Sequence, residues 1–241
     1  MRIACLSLVL WVGSLAASPV TILNPSFESG NLTQAGNGVF SQLIAGSTIF
    51  AAGGTLPDWV AATSTIASTA GGFFPSPGGF NWSSPWWDGN NVGYVQIGAA
   101  GTVSLSQVLS ATLQDDTVYT LSALIGRRSF TPRLAYSLEL WAGTTQLGTA
   151  SNLALANDSF GSDSLVYSSG ANNPLSGQAL MIVLSSAGLN GSFTEAFFDQ
   201  IALDAVTTGQ GPDHGGEVPE PASLLLSAAG LGALIVRRGR R

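Results

Sequence analysis

Two stretches, Val118-Tyr119-Thr120-Leu121-Ser122-Ala123-Leu124-Ile125 and Leu134-Ala135-Tyr136-Ser137-Leu138-Glu139-Leu140-Trp141, decide the fold class. In the first, Tyr119, Leu121, Ala123 and Ile125 share one face of an extended chain, with Thr120 and Ser122 on the other. In the second, Leu134, Tyr136, Leu138 and Leu140 oppose Ser137 and Glu139. A period of two with one apolar side predicts half-buried antiparallel strands. Further strand signals fall at 20–24, 59–62, 92–97, 102–109, 178–185 and 196–206, and no helical periodicity separates them. These eight strands predict an all-β fold, a jelly-roll β-sandwich over residues 19–206. The Gly-, Ala-, Ser- and Pro-rich stretches 30–54 and 63–88 are expected as loops or short strands on its rim.

Composition narrows the function. Only 9% of the 241 residues are charged, against 45% hydrophobic, and there is no lysine. Between Pro19 and Thr208 eleven acids face three bases, a net charge of −8. Such a surface cannot displace counterions from phosphates, so nucleic acid is excluded as a partner. The only His, His214, lies in a polar Gly-rich tract at 207–217 that reads as a flexible linker. A Ser-His-Asp or Ser-Lys nucleophile therefore cannot be assembled inside the folded region. Paired carboxylates could still hydrolyse a glycoside, yet the spacing of Glu28, Glu139 and Glu195 marks no acid/base pair. On this reasoning the chain is expected not to be an enzyme, with no catalytic residues.

The two ends read as addresses. Arg2, the apolar run 3–12 and the small residues 14–18 have the order of a secretory signal peptide, expected over 1–17 with cleavage near Ala16 or Ala17. Cys5, the only cysteine, leaves with it, so the mature chain has neither thiol nor disulfide. At the other end Val218-Pro219-Glu220-Pro221 precedes an apolar stretch, 222–236, and then Arg237-Arg238-Gly239-Arg240-Arg241. As a helix, that stretch of 15 residues spans about 22 Å, a marginal transmembrane length, with the arginines held on the inner side. Triplet, short helix and basic tail in this order resemble the PEP-CTERM sorting signal of Gram-negative bacteria. The resemblance covers 218–241. It implies recognition at Pro219, Glu220 and Pro221 by an exosortase, transient membrane insertion, release to the cell surface or matrix, and a connection to exopolysaccharide.

Within the domain, Asn24-Pro25-Ser26-Phe27-Glu28, Leu56-Pro57-Asp58-Trp59 and Phe197-Phe198-Asp199-Gln200-Ile201 resemble the galactose-binding-like jelly rolls that include carbohydrate-binding modules. The resemblance implies a structural Ca²⁺ held by Glu28 and Asp199, with carbonyls near Ser26 and Thr48 as weaker donors. In a regular strand Asp199 shares a face with Ile201 and Leu203, so its carboxylate would point at the core, a cost that calcium would answer. The other reading is a turn-capping Asp199 and a solvated Glu28.

Trp82, Trp86 and Trp87 form an aromatic cluster beside Phe73, Phe74 and Phe80. Exposed, these rings would stack on sugar faces, with Asn81, Asp88, Asn90 and Asn91 to bond hydroxyls. Folded inward, they would cover an open end of the sandwich. Arg127, Arg128 and Arg133 would grip an acidic sugar or pair with the domain's acids. The expectation is an exported, non-catalytic surface or matrix protein, either binding exopolysaccharide or serving structurally without a specific ligand, with a carbohydrate-active enzyme as the remaining alternative.

Overall fold

The computed structural model describes residues 17–29, 33–35, 38–42, 56–64, 68–74, 88–89, 91–128, 134–188 and 193–208. Over these the chain forms strands β1 (Ser18–Pro19), β2 (Thr33–Ala35), β3 (Gly38–Gln42), β4 (Val60–Thr63), β5 (Ser68–Phe74), β6 (Val92–Ile97) and β7 (Gly101–Thr112). It continues through β8 (Thr117–Arg127), β9 (Ser137–Ala142), β10 (Thr145–Ala150), β11 (Ser159–Ser168), β12 (Ala179–Gly188) and β13 (Thr194–Thr207). The protein is all-β, a sandwich of two antiparallel sheets. The larger runs β11-β8-β13-β6-β5-β3-β2, and β1 is added beside the far end of β13; the smaller runs β10-β9-β12-β7-β4.

Alternation builds the core from both sheets. Tyr119, Leu121, Ala123 and Ile125 of β8 and Ala196, Phe198 and Leu203 of β13 meet Val103, Leu105 and Leu109 of β7, Leu138 and Leu140 of β9, and Leu180, Ile182 and Leu184 of β12. All are at most 5% exposed, and most are fully buried. Each such side chain contributes roughly 1.5–3 kcal/mol by leaving water.

The strand expected at 20–24 is not formed. That segment is irregular, curled by positive φ at Asn24 (49°) and Phe27 (59°). The Asn24 side chain takes the Ser29 N–H at 2.8 Å and donates to the Pro57 carbonyl at 3.2 Å. This curl drives Phe27 into the core beside Trp59, with ring centroids 5.2 Å apart. A Cβ on Gly93 would lie 2.5 Å from the Phe27 ring, so only glycine leaves room for it.

Strands β10 and β11 have no counterpart among the eight expected. Both are edge strands. A strand paired on one side carries fewer apolar residues, and Ser159-Phe160-Gly161-Ser162-Asp163-Ser164 alternates too weakly to be noticed. The stretches expected as rim contain β2, β3 and β5, which extend the larger sheet. Most of the expected signal peptide (1–17) and linker (207–217), and all of the sorting segment with Pro219, Glu220, Pro221 and helix 222–236, lie outside the described residues. Among the described residues no helix is long and apolar enough to cross a membrane.

Candidate functional site

The face of the larger sheet turned away from the core carries side chains that packing alone does not call for. On β13 the residues alternating with core positions Ala196 and Phe198 are Glu195, Phe197 and Asp199, and all three are buried. Register places Tyr94 of β6 opposite Phe197, and Gln96 opposite Glu195. On the other side Gly126 of β8 lies opposite Phe197, and Phe160 of β11 lies opposite Gly126. One row thus crosses four strands as Tyr94, Phe197, Gly126 and Phe160. The Tyr94 and Phe197 rings stack at 6.4 Å and 29°.

Arg128, just beyond the end of β8, continues this face. Its Nη2 donates to Glu195 Oε2 at 2.5 Å, with side chains 8% and 2% exposed, and its guanidinium carbon lies 5.9 Å from the Phe197 ring centroid. A buried ion pair contributes little net stability, because desolvation offsets the attraction. Burial raises the Tyr94 phenol far above its ordinary range, the Glu195 carboxylate raises it further, and Arg128 partly opposes them. Tyr94 therefore stays protonated, so that its hydroxyl can donate a hydrogen bond.

One register row along, β13 carries a bulge between Asp199 and Ala202, with Gln200 at φ 50°. The bulge reverses the alternation. Ile201 and Leu203 face the core, whereas Asp199 stays with Glu195 and Phe197 on the opposite side; the core-facing placement expected of a regular strand does not apply, because the strand is irregular here. Asp199 accepts the N–H groups of Asp88 at 2.6 Å and Gln200 at 2.8 Å. Burial pushes its carboxyl up to about 7, those two donors pull against the rise, and the Asp88 and Glu28 carboxylates add to it. Glu28 accepts the Asn91 N–H at 2.6 Å, and its carboxylate fills the position a Cβ on Gly89 would need.

The structure therefore brings the two expected calcium ligands to one neighbourhood and adds Asp88. Carboxylate oxygens suit Ca²⁺ in kind. Among the described residues, however, no group of three or more His, Cys, Asp or Glu side chains is placed to hold a metal ion. Trp82, Trp86, Trp87 and Arg133 lie outside the described residues. Arg127 donates to the Leu155 carbonyl at 2.8 Å rather than to an acid.

Beside Asp199 an open groove of about 680 Å³ runs along the same face, lined by Ser26, Asp88, Ser122, Leu124, Ser162 and Gln200 among others. Its floor is apolar at Leu124 and its rim is hydroxyl-rich. The volume suits a small organic molecule.

The family described as HpiC1 cyclase matches residues 18–204, the sandwich up to the last residues of β13. The chain belongs to the HpiC1-like family. The described PEP-CTERM protein-sorting motif matches residues 217–241, so this HpiC1-like protein carries the C-terminal signal for exosortase-dependent sorting and secretion with processing at the membrane. The Stig cyclase Fisc from Fischerella sp. TAU, solved in complex with (3Z)-3-(1-methyl-2-pyrrolidinylidene)-3H-indole, is 27% identical. That match covers 79% of this chain and 98% of that one, with a TM-score of 0.61. A cyclase from Fischerella sp. TAU in complex with 4-(1H-indol-3-yl)butan-2-one is 25% identical over 78% of this chain and 98% of its own, with a TM-score of 0.58. Carbohydrate-binding-module sandwiches are also neighbours: TmCBM61 with β-1,4-galactotriose is 12% identical over 77% and 98% of the two chains, with a TM-score of 0.42. No curated protein matches the chain.

Membership in a cyclase family overturns the expectation of a non-enzyme. That expectation rested on the lack of a nucleophile system and of a marked hydrolytic carboxylate pair. Ring closure by rearrangement requires neither. Glu195 had been weighed only as one of three glutamates marking no acid/base pair, and Arg128 as a cation for an acidic sugar or one of the domain's acids; the sequence did not show that the two meet beside Phe197.

Proposed function

We propose that the exported domain is a cyclase that closes a ring in a flat, apolar, indole-class substrate held against the outer face of the larger sheet. The observation that carries this reading is the buried Arg128–Glu195 pair with Tyr94 and Phe197, on a sheet face the core does not need. The indole ligands of the Fischerella cyclases support the substrate class.

The geometry assigns distinct tasks. Phe197 and Tyr94, both fully buried here, are the aromatic rings on which a planar substrate ring would stack once admitted to the site. A cyclisation that develops positive charge in the substrate is stabilised by Glu195, whose carboxylate lies in a site where water does not weaken it. Arg128 fixes that carboxylate's position and balances its charge in the resting enzyme. Tyr94, held protonated, donates to a substrate heteroatom. Ring closure by rearrangement leaves composition unchanged, so the product has the mass of the substrate. The test is to incubate the mature exported protein with a 3-alkenylindole and separate the products. A new species of unchanged mass, lost in Glu195→Gln and reduced in Tyr94→Phe, supports the reading. Absence of any such species across a series of 3-alkenylindoles refutes it.

A calcium brace at the bulge is the second element of the proposal. Glu28 and Asp199, joined by Asp88, would supply carboxylate oxygens, and the cation would offset the burial and the carboxylate repulsion that raise the Asp199 carboxyl. Its place would be structural, fixing the irregular segment around Phe27 against β13. Retention at the cell surface or in an exopolysaccharide matrix is the destination the sorting motif favours.

A further inference from the structure

We infer that Phe160 sets the size of ligand that can pass from the open groove to the Arg128–Glu195 pair, an inference that rests on the cyclase reading above. Gly126 sits near the end of β8, between Ile125 and Arg127, and its backbone is not in the left-handed region. Glycine there weakens a strand, so space must be the reason for it. A Cβ on Gly126 would lie 2.4 Å from Phe160 Cε1 and 2.6 Å from Cζ. The Phe160 ring therefore lies directly over the β8 backbone, reaching from the edge strand toward Phe197.

The register fixes what this ring separates. Glu195 and Arg128 lie on one side of the row formed by Phe197, Gly126 and Phe160. On the other side lie Asp199, Leu124 and Ser162, since Leu124 is opposite both Asp199 and Ser162. The groove is lined by Leu124 and Ser162, the residues next to that row on the same face. Phe160, 7% exposed, stands beyond those residues, and with Phe197 it forms an aromatic barrier between open groove and buried charge. A planar ring can slide onto this barrier, whereas a substituent on it meets the Phe160 edge. Shortening Phe160 lengthens the groove toward the pair, and the gain goes to the substituted ligand.

The test measures binding of indole and of 4-(1H-indol-3-yl)butan-2-one to the full mature protein and to Phe160→Ala, Phe160→Leu and Gly126→Ala. Phe160→Ala is expected to improve the substituted ligand relative to indole by about tenfold, the gain from burying roughly two methylenes. Phe160→Leu, which keeps most of the apolar volume, is expected to fall between, and it decides the matter should the alanine variant not fold. Gly126→Ala, which displaces the ring from below, is expected to shift selectivity in the same direction. An equal change for both ligands in all three variants, or no change, overturns the role of Phe160 while leaving the cyclase reading intact. Failure of the unaltered protein to bind either indole overturns both.

Discussion

Replacing Arg128 by Met leaves the buried Glu195 carboxylate without its cation. The Glu195 side chain is 2% exposed and pairs with Arg128 at 2.5 Å, so water cannot take over that role without local opening. Removing one member of such a pair costs about 3–5 kcal/mol. In a sandwich of this size each kcal/mol moves the melting temperature by about 2–4 °C, so Arg128→Met is expected to lower it by roughly 6–20 °C. Glu195→Leu, which strands the guanidinium over Phe197, is expected to cost a similar amount. The double variant removes both charges together. It is expected to regain most of the lost stability, because an apolar replacement escapes the desolvation cost that the pair carries. Urea or thermal unfolding of the four proteins yields the coupling energy directly. If Arg128→Met loses under about 1 kcal/mol, or if the two losses simply add, the pair is not the coupled buried unit described above. The double variant also separates the two roles of the pair, since it is expected to be folded and inactive.

Other consequences can be measured independently. In the absence of calcium, Asp199 holds its proton more tightly folded than unfolded, its pKa rising from 3.8 to about 7. Its contribution to stability is therefore full below about pH 4 and is lost as pH rises toward about 7, by roughly 2–4 kcal/mol; Asp199→Asn is expected to flatten that slope in melts run with chelator. Added Ca²⁺ is expected to raise the melting temperature of the unaltered protein and to have no such effect on Asp199→Asn or Glu28→Gln. Gly188→Ala would place a Cβ 1.7 Å from the Ala99 carbonyl oxygen, and since backbone cannot yield as a side chain does, destabilisation of about 3 kcal/mol or more is expected in urea titrations. Alanine at Pro219, Glu220 and Pro221 together is expected to leave an unprocessed chain in the membrane fraction, read by intact mass.

The sandwich was legible because its central strands obey simple alternation. Tyr119 to Ile125 and Leu138 to Leu140 face the core as a period of two requires, and 92–97 is recovered to the residue. Edge strands β10 and β11 escaped because pairing on one side places little demand on their composition. The bulge at Gln200 escaped for a different reason. A local positive φ reverses every side chain before it relative to those after it, and a non-glycine residue gives no notice of this. The proximity of Glu28 and Asp199 was readable from the resemblance, and the structure supports that proximity without supplying the ion. The Arg128–Glu195 pair was not readable, since 67 residues separate its members and only the register of β13 on β8 and β6 brings them together. The aromatic row was missed because Tyr94, Phe197 and Phe160 look like core residues until the sheet shows which side each is on.

The central claim is that charge buried on the outer sheet face performs a ring closure. Its most direct test follows a 3-alkenylindole incubated with the mature protein, with the double variant Arg128→Met/Glu195→Leu as the folded control. The account predicts a cyclised product of unchanged mass from the unaltered protein and none from the control, with both melting cooperatively. Equal product from both proteins would contradict it, because the reaction would then owe nothing to the one buried charge pair described on that face.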